Sequence, residues 1–305
     1  MTTNVESTMR FDLYQTVTDR VIELLEKGKV PWRKPWSDLG PPMNAISKRP
    51  YQGINLWLLL MLPYESNLYL TWEQLKRVNG SVTRGAKAHI VVYWQMLDAS
   101  DQKNEEQAIE SREQKRQRFT LRYHKIFNVE DCTGIPPSIL VSNAEKQLNT
   151  LLACENIANE MPNRPRIFNG KRRASYDPQM DYVNIPNLER FESPEAFYTT
   201  LWHELVHSTG HPKRLDRKTI TEMAEFGSEP YSLEELIAEL GTCYLAGYSG
   251  ILEKEVVNSA AYIAGWLTKL KNDKRFVITA STQAQKAVDY ILNRKDQKPT
   301  IKERP

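Results

Sequence analysis

Between residues 11 and 27 the chain reads FDLYQTVTDRVIELLEK, which places Leu13, Val17, Val21, Leu24 and Leu25 on one face at helical spacing. Gly28 follows as a stop, so the pattern predicts an amphipathic helix. The period then breaks. Residues 30–55, VPWRKPWSDLGPPMNAISKRPYQGIN, carry prolines and glycines that forbid a long helix or a central strand. Residues 71–78, TWEQLKRV, predict a short helix ended at Asn79-Gly80, and residues 89–97 and 119–129 predict strands. The stretch between those strands, residues 98–118, is rich in Glu, Gln, Lys and Arg and reads as a mobile charged hairpin loop or an exposed helix. Gly134, Pro136 and Pro137 punctuate residues 131–142, where we place a domain boundary. Beyond it the pattern predicts a helix at 143–160, strands that include 174–185, and helices at about 194–208, 232–246, 253–271 and 282–293. The tail, residues 294–305, is polar.

With 305 residues the chain has room for two domains, each with its own core. The longest apolar run, residues 56–62, is far short of the ~20 residues of a membrane helix, so no membrane partner is expected. Three cysteines, Cys132, Cys154 and Cys243, form no CxxC pair, and the polar first residues lack an apolar signal core. Both features suit a reducing cytoplasm. The formal net charge of +3 is too small to argue for a nucleic-acid partner, but its distribution is informative. Residues 1–97 hold 12 Lys/Arg against 8 Asp/Glu and five of the seven tryptophans.

The strongest chemical signal lies in FYTTLWHELVHST, residues 197–209, a helical pattern closed by Gly210. His203 and His207 are one helical turn apart, so they point to one side and can share a metal ion, and Glu204 beside them can act as general base on a water molecule the metal activates. A third ligand is needed. Residues 231–245, YSLEELIAELGTCYL, predict a helix with Ser232 as N-cap and Glu235 at the capping-box position. Glu235 is the chosen third ligand, with Glu234, Glu229 and His211 as rivals. Glu239, four residues on and on the same face, is expected to orient a histidine. A familiar zinc-protease pattern puts a third histidine three residues beyond a glycine, but that position after Gly210 is Lys213. His211 therefore reads as a capping or structural residue.

The segments HELVHSTGHPKRLDR, FGSEPYSLEELIAELG, ASYDPQMDYVNIP and AYIAGWLTKLKND, with YQTVTDRVIELLEKGKVPWRKPW, NAISKRPYQGINLWLL and FNVEDCTGIP in the first half, resemble the ArdC-type antirestriction proteins of conjugative plasmids. The first half is also similar to the DNA-binding region of TraC-type primases. The resemblance implies an α+β fold in two domains: a single-stranded-DNA-binding domain at 1–135 and a zincin-like metallopeptidase domain at 142–293. It implies a role in shielding incoming plasmid DNA from host restriction enzymes during conjugation. Residues 83–87, TRGAK, depart from the Lys-Gly-Glu-Lys type of turn usual in relatives.

On its own residues the first half offers what single strands need, cations for phosphates and rings for base stacking. Trp32, Trp36 and Tyr51 are interleaved with Arg33, Lys34, Lys48 and Arg49, while Asn44, Ser47 and Gln52 can donate hydrogen bonds. Lys76, Arg77, Arg84 and Lys87 form a second basic group near Trp72. Trp57 and Trp94 lie in apolar runs and read as core; for Trp32 and Trp36 stacking and core remain open. The expected cofactor is Zn2+ or another divalent ion such as Mn2+, bound by His203, His207 and Glu235. The expected partners are single-stranded DNA and a protein substrate or restriction enzyme. Two other readings compete: a processing metalloprotease whose first half recruits protein substrate, and a binding protein with a structural metal. An extended peptide substrate is expected to add to an edge strand near residues 176–185.

Overall fold

The predicted stripe of the first helix is buried in full: Leu13, Val17, Val21, Leu24 and Leu25 all lie inside along α1 (Leu13–Glu26). Asp12 caps it, its Oδ1 accepting from the Gln15 amide at 3.1 Å. The computed structural model describes residues 12–30, 40–96, 119–140, 150–222, 228–251 and 260–294. After α1 come β1 (Met43–Asn44), α2 (Ile54–Leu60), β2 (Leu68–Thr71), α3 (Trp72–Arg77), β3 (Ser81–Val82), β4 (His89–Met96), β5 (Phe119–Asn128), β6 (Cys132–Thr133) and α4 (Pro137–Leu140). Thr71 and Gln74 form a capping box that starts α3 where β2 ends. The charged stretch 98–118 lies outside the described residues, as does the tail from residue 295.

The first-half strands form a sheet of order β1-β2-β5-β4, with β4 and β5 antiparallel from His89↔Ile126 to Met96↔Phe119, and β3 pairs with β6. The second half runs α5 (Thr150–Asn159), β7 (Arg166–Asn169), β8 (Ser175–Asp177), β9 (Tyr182–Ile185), α6 (Pro194–Ser208), α7 (Lys218–Thr221), α8 (Glu229–Ser249), α9 (Ala260–Asn272) and α10 (Phe276–Ile291). Its sheet order is β7-β9-β8. The structure is a two-domain α+β architecture, and among the described residues no helix is long and apolar enough to cross a membrane.

Two helix boundaries and one strand position differ from the sequence pattern. Helix α8 starts at Glu229, capped by Ser228 rather than Ser232, with Pro230 in its first turn, where its missing N–H costs nothing. Ser232 lies inside the helix and donates to the Ser228 carbonyl at 2.8 Å. Helix α10 begins at Phe276 rather than 282, because Phe276, Val277 and Ile278 are buried. Of the stretch 176–185, β9 is the central strand of its sheet; only the three-residue β8 is an edge.

The expectation of a separate core for each half is also corrected. One cluster runs from Leu13, Val17 and Trp57 through Trp202 and Leu240 to Ala284 and Val288, and two satellites lie around Leu70 and around Ile126. Trp57 stacks on Tyr244 of α8 at 5.2 Å and donates its indole N–H to the tyrosine hydroxyl at 3.0 Å; that hydroxyl also bonds Ser281 Oγ at 2.9 Å. The Thr18 hydroxyl donates to the Lys274 carbonyl at 2.7 Å. Trp57, Tyr244, Ser281 and Thr18 thus each have a hydrogen-bond partner in this seam, as burial requires.

Candidate metal centre

Helix α6 is held in place by its apolar faces: Leu201, Trp202, Leu205 and Val206 are 0–4% exposed. Helix α8 crosses it at Gly241, where a Cβ would sit 2.8 Å from Val206 Cγ2, so only glycine permits the approach. The crossing brings Glu234 and Glu235 to the histidine face of α6. His203 and His207 present Nε2 atoms 3.1 Å apart. Glu235 places Oε2 at 3.6 Å from His203 Nε2 and Oε1 at 3.7 Å from His207 Nε2. A tetrahedral ion with ligand bonds of 2.0–2.1 Å holds its donor atoms about 3.3 Å apart, so the three side chains fit one small cation. Two imidazoles and one carboxylate suit zinc and are compatible with manganese. Among the described residues, His203, His207 and Glu235 are the group that could hold a metal ion.

The surrounding residues fix this geometry. Glu234 accepts from His207 Nδ1 at 3.2 Å, so in the neutral ring the Nε2 lone pair faces His203 and Glu235. Glu239, expected in that orienting role, lies further along α8 and is half-buried; the carboxylate on His207 is Glu234. Glu234 is itself gripped by Arg217, whose Nε and Nη2 donate to its two oxygens at 3.1 and 2.5 Å, and by the Thr219 hydroxyl at 2.5 Å. Burial alone would raise the Glu234 pKa, but His207 and Arg217 outweigh it and hold the carboxyl at about 2. Burial likewise opposes charge on His207, yet Glu234, Glu235 and Glu204 together raise its pKa above the ordinary value. Glu235 is lowered against its burial by His203, His207 and a hydrogen bond from Tyr231. Glu204, 9% exposed, is close enough for its charge to act on both His207 and Tyr231.

Arg217 also donates to the Val206 carbonyl at 2.9 Å and to Thr209 Oγ1 at 2.5 Å, while Arg214 Nε donates to the Ser208 carbonyl at 2.6 Å. Two cations thereby satisfy the last carbonyls of α6. Arg214 continues to Asp181 and the Tyr176 hydroxyl, tying the β8–β9 turn to the same helix end. Sequence reasoning missed both arginines; the available signal was RLDR, residues 214–217, shortly after a helix C-terminus. Gly210 follows the Thr209 C-cap, and a Cβ there would meet Ile220 Cγ1 at 2.6 Å, so glycine allows the next segment to pack against the helix end. His211 lies in the turn that follows, its Nδ1 accepting from the Lys213 amide at 3.1 Å, and stays outside the ligand group. Glu229 is exposed in the first turn of α8.

In the first half, Trp32, Arg33, Lys34 and Trp36 lie outside the described residues, and the Trp94 side chain is likewise not described. Two other expected DNA contacts have structural work. Lys48 donates to the Ile139 carbonyl at 2.6 Å, and Tyr51 packs edge-on against Tyr69 at 6.2 Å, where burial pushes its hydroxyl up to about 12. Asn44 accepts from the amides of Ile46 and Ser47, closing their turn. Arg49, Lys76, Arg77, Arg84 and Lys87 are exposed.

Comparison with known proteins places these parts in context. Residues 11–127 match the family model for the N-terminal domain of the anti-restriction factor ArdC, and residues 155–283 match that for zincin-like metallopeptidases. The y4eC protein of Sinorhizobium fredii is 29% identical over 301 residues, covering 95% of each chain. A DNA primase TraC of Escherichia coli is 30% identical over 294 residues; these are 92% of this chain, which spans only 27% of the primase. Two crystal structures of the antirestriction ArdC protein from plasmid R388 superimpose with a TM-score of 0.72. The metal-free form is 34% identical, covering 93% of this chain and 97% of the other; the Mn(II)-bound form is 33% identical, covering 93% and 98%.

Proposed function

Because the chain belongs to the ArdC family of antirestriction proteins, we propose that it binds single-stranded DNA through its first half and so protects incoming plasmid DNA from host restriction during conjugation. The second half holds a divalent cation, zinc or manganese, at a site of metallopeptidase type. The observation that carries this reading is the convergence of His203, His207 and Glu235 beside Glu204, on two helices whose core is continuous with that of the first half.

A divalent cation held by these three residues supplies Lewis acidity to a substrate carbonyl and lowers the pKa of a water molecule. The remaining roles belong to the chain. Glu234, fixed by Arg217, keeps His207 in the tautomer that offers Nε2. Tyr231 steadies the Glu235 carboxylate. Glu204 takes the proton of the attacking water and passes it to the leaving amine. The edge strand β8, whose Tyr176 is tied to Arg214, offers unpaired backbone groups to an extended peptide.

Transfer of a plasmid into restricting and non-restricting recipients separates the two halves of this reading. Glu204→Ala is expected to abolish any peptide hydrolysis while leaving metal content and protection unchanged, because a bound protein occludes a nuclease without peptide chemistry. Loss of protection in a folded, metal-loaded Glu204→Ala protein would make proteolysis central and overturn the proposal.

A further inference from the structure

Strand β5 carries an arrangement of rings and cations that neither the core nor the metal centre uses. Side chains alternate along a strand, so Tyr123, Lys125 and Phe127 share one face of β5 at about 6.8 Å per pair of residues. The Trp72 ring lies 6.1 Å from Phe127, and Lys76 Nζ sits 5.5 Å from the centroid of Trp72. On the neighbouring β4, Tyr93 stacks flat on His124 of β5, 4.6 Å apart and 9° from parallel. Four aromatic rings are among the exposed large apolar side chains of the described residues; two of them, Trp72 (45%) and Tyr123 (41%), belong to the Phe127 face of this sheet and its adjoining helix, while Tyr93 (39%) lies with His124 on the other face. The same face carries Lys125, with no acidic residue within β5, and the adjoining α3 carries Lys76 and Arg77 against Glu73; Arg122, paired with Tyr93, points to the other face.

We propose that a single-stranded nucleic acid runs along β5, with bases stacked on Trp72 and Tyr123 and phosphates held by Lys76 and Lys125. The assignment rests on the single-strand reading above and gives it a surface. Rings interleaved with cations fit a strand whose bases are unpaired; a protein partner would favour an apolar patch depleted of charge. The alternate-residue spacing on β5 is about twice the ~3.4 Å rise per nucleotide of a stacked strand, so successive side chains on this face meet every second nucleotide.

The test is fluorescence anisotropy of the full chain with a fluorescein-labelled 20-residue oligothymidylate over a range of salt concentrations. Trp72→Ala and Tyr123→Ala are each expected to weaken binding at least fivefold with the salt dependence unchanged, while Trp72→Phe and Tyr123→Phe retain most of it. Lys125→Glu, an exposed change that leaves the sheet intact, is expected to weaken binding and to flatten the slope of log K against log salt by roughly 0.7 or more. Lys218→Ala on α7, exposed in the other half, is expected to bind like the wild type. If the wild-type chain binds but the folded Trp72, Tyr123 and Lys125 variants match it, the strand lies elsewhere and only this assignment falls. If the wild-type chain does not bind, the single-strand reading falls with it.

Discussion

His207 and Lys76 occupy opposite extremes among the side chains to which we assign a function. The His207 ring is 9% exposed; one nitrogen faces Glu234, the other faces His203 and Glu235, and Glu234 is clasped in turn by a buried arginine. Lys76 has 58% of its side chain in solvent, with Glu73 at 3.8 Å and the Trp72 ring beneath it. A small cation demands donor atoms within a few tenths of an ångström, and only a packed interior holds side chains that still. A flexible polymer of phosphates and bases asks for charge and ring area instead, which an exposed sheet supplies while losing little stability to a single change. The side chains assigned to the metal should therefore break sharply under mutation, and those assigned to the nucleic acid should fade by degrees.

The largest effect is expected at the Arg217–Glu234 pair, whose side chains are 5% and 4% exposed. Arg217→Ala leaves a buried carboxylate without its cation and should cost about 3–5 kcal/mol in denaturant unfolding. A variant of wild-type stability would show that the network is not what fixes the site. Next comes Gly241→Ala, which drives a methyl group into Val206 and should cost about 1–3 kcal/mol while loosening metal retention. Adding Val206→Ala should recover part of the loss, and a double-mutant cycle measures how much. Trp57→Phe removes a hydrogen bond across the seam, and with Tyr244 still paired to Ser281 it should cost about 1 kcal/mol.

A smaller, pH-dependent effect is expected at Asp181. Burial raises its pKa, but Arg214 and Tyr176 outweigh burial and hold it below the ordinary value. A depressed carboxylate gives stability that is complete above its unfolded pKa and is lost as pH falls through the lower folded one. Asp181→Asn tolerates the same left-handed backbone, φ 52°, and should flatten the fall in stability below about pH 4. An acid limb identical to the wild type would remove Asp181 from that account.

How much of this could be read in advance follows from how local each signal is. The His203–Glu204–His207 spacing is a property of one helical turn, and the α1 stripe and the buried Trp57 follow from periodicity and apolar surroundings. Glu235 can be picked as a ligand candidate from its place on the helix, but the role of Glu234 on His207, which the sequence reading gives to Glu239, is hidden, because only the crossing at Gly241 brings Glu234 against the histidine ring. The sequence reading starts α8 at Ser232 because it leaves unweighed Pro230, which suits the first turn of a helix capped by Ser228. The four-residue strands β2 and β7 are too short to show a period. Lys48 and Tyr51 looked available because the partners that hold them, the Ile139 carbonyl and the Tyr69 ring, come from distant parts of the chain.

The central claim is that His203, His207 and Glu235 together hold one divalent cation and that Glu204 does not. Metal content per chain, measured by mass spectrometry on protein dialysed against zinc or manganese, tests it most directly. The account predicts one equivalent in the wild type and in Glu204→Ala, and loss of the metal in His203→Ala and Glu235→Ala. Full retention in a folded Glu235→Ala protein, or loss in Glu204→Ala, would contradict it.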